Sequence, residues 1–267
     1  MKITIAGYGS VGSYVADLFT DLEPTLYDPP LGLGTVEDLR DTDFVIVCVP
    51  TPQLASGACD TSIVEEVVGL ADPRVAIVSH STIAVGTAER ILAETGKPFV
   101  FMPEYAGESP DHPLRDPRNR SFLIYGGYDP AASAVQELYE RAYGSGLRHF
   151  RVPPTVAEMV KYMENAFLAT KVAFCNEFFD LCSAVGVDYD WVRLLWLQDD
   201  RINPSHTLVT EERGYGGQCL PKDTAAVSAT GRDLGTPMEI LETVQRANAR
   251  HRSRAVATLE AIEASTP

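Results

Sequence analysis

Seven short apolar runs punctuate the first half of the chain: KITIA at 2–6, PTLYD at 24–28, FVIVCV at 44–49, VAIVS at 75–79, PFVFM at 98–102, FLIY at 122–125 and RHFRV at 148–152. They are brief, rich in β-branched and aromatic residues, and nearly unbroken rather than alternating, which predicts strands buried on both faces, as in a parallel sheet. Between most of them lie stretches with the three-to-four-residue apolar spacing of amphipathic helices, at 61–70, 86–95 and 130–143. The last opens on Asp129-Pro130, read as an N-cap followed by proline at the first helical position. Residues 1–152 are therefore expected to form a doubly wound α/β domain.

After Pro153-Pro154 the period changes. Thr155-x-x-Glu158 reads as a capping box, and apolar residues at 156, 160, 163, 167, 174, 178 and 181 predict a helix of about thirty residues, with Gly186 as its C-terminal cap. A shorter helix is expected around 189–199, carrying Trp191 and Trp196. Thr236-Pro237-Met238-Glu239 repeats the capping box and starts a last helix running almost to the end. Helices this long bridge subunits or lobes more often than they fill one compact domain. Residues 153–267 are expected to be all-helical, and to pair two copies of the chain through the long helices.

Charge removes several classes of partner. The chain carries 22 Lys+Arg against 37 Asp+Glu, a net −15, so nucleic acid and an anionic membrane surface are not expected partners. Five cysteines (48, 59, 175, 182, 219) form no CxxC pair, which argues against a disulfide framework or zinc knuckle and fits a reducing, cytoplasmic setting. No apolar run reaches the length of a membrane span. The start of the chain carries glycines and Asp17 without a small-residue cleavage site, unlike a secretion signal. The five histidines (80, 112, 149, 206, 251) show no metal-ligand spacing, and neither HExxH nor GxSxG occurs, so no metal is expected.

Two stretches concentrate candidate chemistry. In Ile3-x-Ile5-x-Gly7-Tyr8-Gly9-Ser10-Val11-Gly12, a strand enters a glycine turn and then a helix. Gly7 permits the turn, Gly9 lets a pyrophosphate approach the backbone, and Gly12 permits close helix–strand packing. The helix start, at Ser10 and Val11, offers unpaired N–H groups to phosphate oxygens. Asp28 ends the next strand, 21 residues after Gly7, where a carboxylate binds ribose hydroxyls and favours NAD over NADP. The second stretch is Gly214-Tyr215-Gly216-Gly217-Gln218-Cys219-Leu220-Pro221-Lys222-Asp223, read as a loop that can lie against a ligand. Lys222 would favour a thiolate at Cys219 and Asp223 could orient water or a proton, but a lone cysteine is as readily a small buried hydrophobe. The other four cysteines are expected in the core.

Lys161 and Asn165 are spaced i, i+4 and emerge on one helix face. Such a pair can hold a developing oxyanion, although the spacing by itself favours a solvated helix edge. Pro50-Thr51-Pro52, Ser81-Thr82, Pro103-Glu104 and Glu108 each follow a strand, where ligands lie in open α/β sheets. Arg246, Arg250 and Arg254 form an i, i+4, i+8 stripe, read as a solvated face.

The order of these motifs resembles the UDP-glucose/GDP-mannose 6-dehydrogenase family. The matching stretches are GYGSVG (7–12), CVPTP with GACDTS (48–62), STIAVGT (81–87), MPEYAGES (102–109), EMVKYMENAFLATKVAFCNE (158–177), DDRI (199–202) and GYGGQCLPKD (214–223). The resemblance implies a Rossmann-type sheet followed by a helical domain of the 6-phosphogluconate-dehydrogenase type, and oxidation of a primary alcohol to a carboxylate in two NAD-dependent steps. It makes Cys219 the nucleophile that carries a thiohemiacetal and then a thioester, with Lys161 and Asn165 on the alkoxide or oxyanion. Glu104, Asp223 and Thr82 would manage protons and the hydrolytic water. Glu108 and Thr51, beside Pro50 and Ser81, would lie near the nicotinamide and its ribose. Arg201 would reach a small-molecule substrate across a dimer, and Tyr215 and Gly216 would pack on the sugar.

Three departures qualify the resemblance. The family's second nucleotide-binding domain is expected to be absent, because the chain ends at Pro267. Thr-Glu-Glu (210–212) stands where a glycine-rich run precedes GYGG, and Ser10 replaces an aromatic residue. The substrate thus stays open among a nucleotide sugar, a nucleotide or a smaller sugar-like alcohol. Two other readings remain: a two-electron hydroxy-acid dehydrogenase, which needs no cysteine, and a non-catalytic NAD-binding subunit of a full-length dehydrogenase.

Overall fold

A computed structural model of the chain describes residues 1–105, 116, 119–144 and 146–265, with side chains as far as 255. The chain divides into two compact units, Met1–Leu54 with Cys59–Lys161, and Ala55–Ala58 with Tyr162–Pro267.

The first unit contains all seven strands that the apolar runs predict: β1 (Ile3–Ala6), β2 (Thr25–Tyr27), β3 (Phe44–Val47), β4 (Ala76–Ser79), β5 (Phe99–Phe101), β6 (Phe122–Gly126) and β7 (Arg148–Val152). They form one sheet in the order β2-β1-β3-β4-β5-β6-β7. Alternate residues feed two cores. Val45, Val47, Ile77, Phe99 and Phe101 pack with helices α2 (Ser62–Leu70) and α3 (Thr87–Thr95). Ile3, Ile5, Phe44, Ile46 and Val78 pack on the other face with α1 (Ser10–Leu18) and α4 (Ala131–Tyr143). Each such side chain contributes about 1.5–3 kcal/mol by leaving water, and a one-residue slip of a strand would swap its two sets of side chains between the cores.

Two expectations fail in this unit. The sheet is not wholly parallel, because β5 and β6 run antiparallel. A parallel return needs a crossover of a dozen or more residues, usually a helix, and residues 102–121 carry four prolines and no helical period. Helix α4 starts one residue late, with Pro130 at the N-cap, while the Asp129 carboxylate accepts from the backbone N–H of Ser133 at 3.2 Å.

Helix α5 (Pro154–Val185) runs 32 residues and contains the boundary between the units. It ends as predicted at Gly186 (φ +75°), where Val187 N–H bonds the Cys182 carbonyl at 3.0 Å across the αL turn. Its start differs. Pro154 occupies the first helical position and Thr155 lies inside the turn, so the predicted capping box does not form. The Glu158 carboxylate instead accepts the backbone N–H groups of Gly86 (2.6 Å) and Ala88 (2.8 Å), and so caps α3 from seventy residues away.

The apolar stripe that predicts α5 is not the buried face. Met163 is 76% and Phe167 62% exposed, and Val156, Val160, Phe174, Phe178 and Leu181 are exposed as well. The buried positions are mostly small and polar, among them Ala157, Lys161, Asn165, Ala169, Val172, Ala173 and Asn176, with Tyr162 the one large ring buried among them.

The second unit is helical, with α6 (Tyr189–Trp196), α7 (Cys219–Asp233) and α8 (Glu239–Ser265) beside the rest of α5. Ala169, Val172, Ala173, Tyr215, Val244 and Ala247 form its main core, and Cys175, Cys182 and Tyr189 a second. Helix α7 was not expected; its first turn holds Pro221, which costs nothing where N–H groups lack intrahelical partners. Helix α8 begins at Glu239 rather than on Thr236, whose N–H is taken by the Gly231 carbonyl at 2.8 Å. Among the described residues no helix is long and apolar enough to cross a membrane, and no cluster of metal-ligating side chains occurs.

Candidate functional site

The glycine turn after β1 is built for close approach. Gly7 sits at φ +93°, and a Cβ there would lie 2.7 Å from the Cys48 carbonyl oxygen. At Gly12 a Cβ would fall 1.9 Å from the Gly7 carbonyl oxygen, so α1 can pack on the turn only without a side chain. Gly9 is different, because a Cβ there would meet nothing within 4 Å. The fold itself leaves room at Gly9, and the space lies directly before the first N–H groups of α1, at Ser10 and Val11. Asp28 closes the arrangement from the end of β2: its Oδ2 accepts the Tyr8 N–H at 2.8 Å and its Oδ1 the Leu31 N–H at 3.3 Å. A cradle of free amides, an open glycine and a carboxylate fits a dinucleotide.

Thr51, Ser81 and Thr82 follow β3 and β4, next to the reversal of strand order between β1 and β3. Ser81 Oγ donates to the Val49 carbonyl at 2.7 Å, tying the two strand ends together, and Thr51 is buried while Pro50 is exposed. Glu108 lies outside the described residues.

Glu104 follows β5 in a buried polar cluster whose Arg120 and His80 sequence reasoning missed. Its Oε1 accepts from Arg120 Nη2 at 2.5 Å and from the Tyr105 N–H at 2.7 Å, and its Oε2 lies 4.0 Å from His80 Nδ1. Burial pushes the His80 imidazolium down, opposed by the Glu104 charge. Lys161 is buried too, donating to the Glu104 carbonyl oxygen at 2.7 Å with its ammonium 4.9 Å from the Tyr105 ring centre. The solvated helix edge favoured by spacing is thus overturned for Lys161, and for Asn165, which is 5% exposed.

In the second unit, Asp223 is 1% exposed and accepts from Asn165 Nδ2 and Lys222 Nζ, each at 2.6 Å. Cys219, four residues before Asp223, is exposed and is the first residue of α7, where aligned N–H groups stabilise negative charge. Cys59, Cys175 and Cys182 are buried and Cys48 half-buried, as expected of core thiols. Tyr215 is buried, with Gly216 next to it. Arg201 is not gathered into this group: it is exposed and its Nε donates to Asp199 Oδ1 at 2.9 Å. Of the arginine stripe, Arg250 and Arg254 are not merely solvated but reach Glu177 and Asp180, at 3.0 and 3.1 Å.

The first unit is thus of the dinucleotide-binding α/β class, and the second places a cysteine beside an Asn–Asp–Lys cluster. The chain matches the NAD-binding-domain model of the UDP-glucose/GDP-mannose dehydrogenase family over residues 32–143 and its central-domain model over 155–250. It belongs to that family, and the cofactor indicated is NAD.

A UDP-glucose 6-dehydrogenase of Rhizobium meliloti is 33% identical over 93% of this chain and 67% of the relative. One of Pseudomonas aeruginosa is 33% identical over 84% of this chain and 52% of the relative. The chain therefore spans about half to two thirds of the length of these relatives. The solved UDP-glucose dehydrogenase of Pyrobaculum islandicum aligns with TM-score 0.79 and 26% identity, covering 93% of this chain and 68% of that one. A Mycobacterium tuberculosis 3-hydroxyisobutyrate dehydrogenase shares the fold alone, with TM-score 0.69 and 16% identity over 97% of this chain and 98% of that one.

Proposed function

We propose that the chain oxidises a primary alcohol of a nucleotide sugar, a nucleotide or a smaller sugar-like molecule to a carboxylate, with Cys219 as covalent nucleophile. The observation that carries this reading is Cys219 at the start of α7, one turn before an Asp223 that holds Asn165 and Lys222. A two-electron hydroxy-acid oxidation has no use for that thiol.

Gly7, Gly9, Ser10, Val11, Gly12 and Asp28 would hold NAD, with Pro50, Thr51, Ser81, Thr82 and Glu108 towards its nicotinamide end. Bound NAD supplies the acceptor for two electrons and one proton at each of two oxidations. Overall, RCH2OH, two NAD+ and water give RCOO−, two NADH and three protons. Lys161 and Asn165 hold the alkoxide oxygen as the alcohol becomes an aldehyde. The Cys219 sulfur adds to the aldehyde carbon, giving a thiohemiacetal, and the second oxidation leaves a thioester. Water adds to that carbonyl, the C–S bond breaks, and the acid and the thiol are released. Glu104, Asp223 and Thr82 pass the protons and orient the water. Arg201, Tyr215 and Gly216 contact the substrate.

In this reading residues 1–152 form the NAD-binding domain and 153–267 a helical domain that makes a homodimer, and the protein works in the cytoplasm. The exposed apolar side chains of α5 support the dimer: a row from Val156 to Leu181 that a water-facing helix would not keep. The test is NADH counted per product in a screen of primary alcohols, beside Cys219→Ala. Two NADH per acid, with no acid from the variant and unchanged NAD binding, are expected. One NADH per released aldehyde, or acid output that survives the substitution, sinks the covalent route.

A further inference from the structure

The segment leading into α7 is gripped from two sides by buried asparagines. Asn176, on α5 and 1% exposed, accepts with Oδ1 from Arg213 Nε at 2.8 Å and from the Gly214 N–H at 3.1 Å. Its Nδ2 donates to the Val172 carbonyl at 2.9 Å, so both ends of the amide are used. Asn248, on α8 and 8% exposed, accepts the Tyr215 N–H with Oδ1 at 2.6 Å and donates through Nδ2 to the Tyr215 carbonyl at 2.9 Å. That is the double exchange one β-strand residue makes with its neighbour, supplied here by a side chain.

The local sequence is shaped to this grip. Gly214 sits at φ +62°, and a Cβ there would fall 2.3 Å from Asn248 Oδ1, so only glycine lets the amide pass. The Tyr215 side chain is buried among Ala169, Val172, Ala173, Val244 and Ala247, on the two helices that carry the asparagines. Arg213 completes the fixation, donating to Asp180 Oδ1 at 2.5 Å with its guanidinium 4.6 Å from the Phe179 ring centre. Beyond Tyr215 come only Gly216, Gly217 and Gln218 before Cys219 opens α7. Glycines give a chain the most freedom to lose, so without tethers this stretch would sample many paths into the helix.

We propose that Asn176 and Asn248 are positioning residues for the reaction: they fix the backbone at Gly214 and Tyr215, and through it the place of the Cys219 sulfur at the head of α7. The proposal rests on the reading of Cys219 as nucleophile. Its energetic logic is geometric. Attack on a carbonyl carbon tolerates little misplacement, and an error of about 1 Å costs on the order of a hundredfold in rate. Tyr215 and Gly216 move with the same tether, so substrate affinity changes alongside turnover.

The decisive experiment compares Asn248→Ala, Asn176→Ala and Leu138→Ala, the last a buried side chain on α4 in the first unit that serves as a control for lost stability. Three readouts are taken at a temperature where all are folded: steady-state kinetics, cleavage by trypsin after Arg213, and mass-spectrometric labelling of Cys219 by iodoacetamide. For Asn248→Ala the expectation is kcat lower by about 30–100-fold with KM for NAD within about twofold of wild type. Trypsin should cut after Arg213 at least about tenfold faster, because the bond is protected only while the segment is ordered. Labelling of Cys219 should slow by about fivefold as the helix start frays. Asn176→Ala should change in the same directions by less, and Leu138→Ala in none of the three. Wild-type cleavage and labelling rates in Asn248→Ala, or a kcat loss that Leu138→Ala shares, overturn the proposal. The proteolysis and labelling readouts need no substrate. A Cys219→Ala enzyme that still forms acid therefore refutes the nucleophile reading separately, while those two rates still report whether the asparagines hold the segment.

Discussion

Replacing Glu158 by glutamine tests the long-range cap on α3 in a way that pH can isolate. The carboxylate is fully buried and accepts two backbone N–H groups, at 2.6 and 2.8 Å. Glutamine keeps one acceptor oxygen and turns an NH2 toward the other N–H, leaving one buried donor unmatched. That omission costs about 1–3 kcal/mol. A central loss of about 2 kcal/mol lowers the melting temperature of a unit this size by about 4–8 °C.

Burial pushes the Glu158 carboxyl above its ordinary value near 4.5, although the Ala88 and Gly86 amides pull the other way. The folded state then binds this proton more readily than the unfolded state, and wild-type stability from this group rises as pH falls toward the unfolded value. Glutamine has no such term. Other acids titrate alike in both proteins and cancel in the difference. Calorimetric melting of both proteins at pH 7 and pH 5 should therefore show a gap of a few degrees at pH 7 that widens at pH 5. A gap that narrows on acidification refutes the burial argument, and equal melting temperatures refute the cap itself.

Other expectations follow from single distances. Gly12→Ala places a methyl carbon 1.9 Å from the Gly7 carbonyl oxygen, so titration calorimetry should show NAD affinity reduced at least about tenfold, with about 1–3 kcal/mol of stability lost to overpacking. Met163→Glu with Phe167→Glu puts two charges on the exposed apolar row of α5, and sedimentation should find the wild type dimeric and the double variant monomeric. Asp223→Asn removes the charge that gathers Asn165 and Lys222, and kcat should fall by about a hundredfold or more while NAD affinity holds.

The strands were legible because each is a short run buried on both sides, which leaves little choice of period; all seven runs became strands. The reversal at β6 was not, since direction depends on what connects two strands rather than on the strands themselves. Helix α5 was found by its large apolar residues, yet these mark the exposed face. Its buried positions hold alanines, Lys161, asparagines and Tyr162, few of which register in a pattern read from large aliphatic and aromatic spacing. Hydrophobic periodicity locates a helix but does not say which surface it meets.

Lys161 and Asn165 were visible as a pair, while their burial came only with the fold. Helix α7 was hidden by glycines before it and a proline inside its first turn, both of which read as loop. Glu158 was noticed for the wrong reason: the spacing assigned it to its own helix, and it serves another. Arg120, Asn176 and Asn248 left no signal beyond a polar residue on an otherwise apolar or small helix face or beside a strand, which becomes meaningful once the partner backbone is known.

The division between the two compact units falls between Lys161 and Tyr162, within the continuous hydrogen bonding of α5. For anyone building chimeras this is an awkward seam. Exchanging one unit for that of a relative at this boundary takes Lys161 from one parent and Asn165 from the other, one helical turn apart, so the proposed oxyanion pair is inherited whole only if the junction moves off the structural boundary. A crossover placed before Pro154 keeps the pair together, but it also separates Glu158 from the α3 amides it caps, and the incoming helix must bring a carboxylate of its own to the same place.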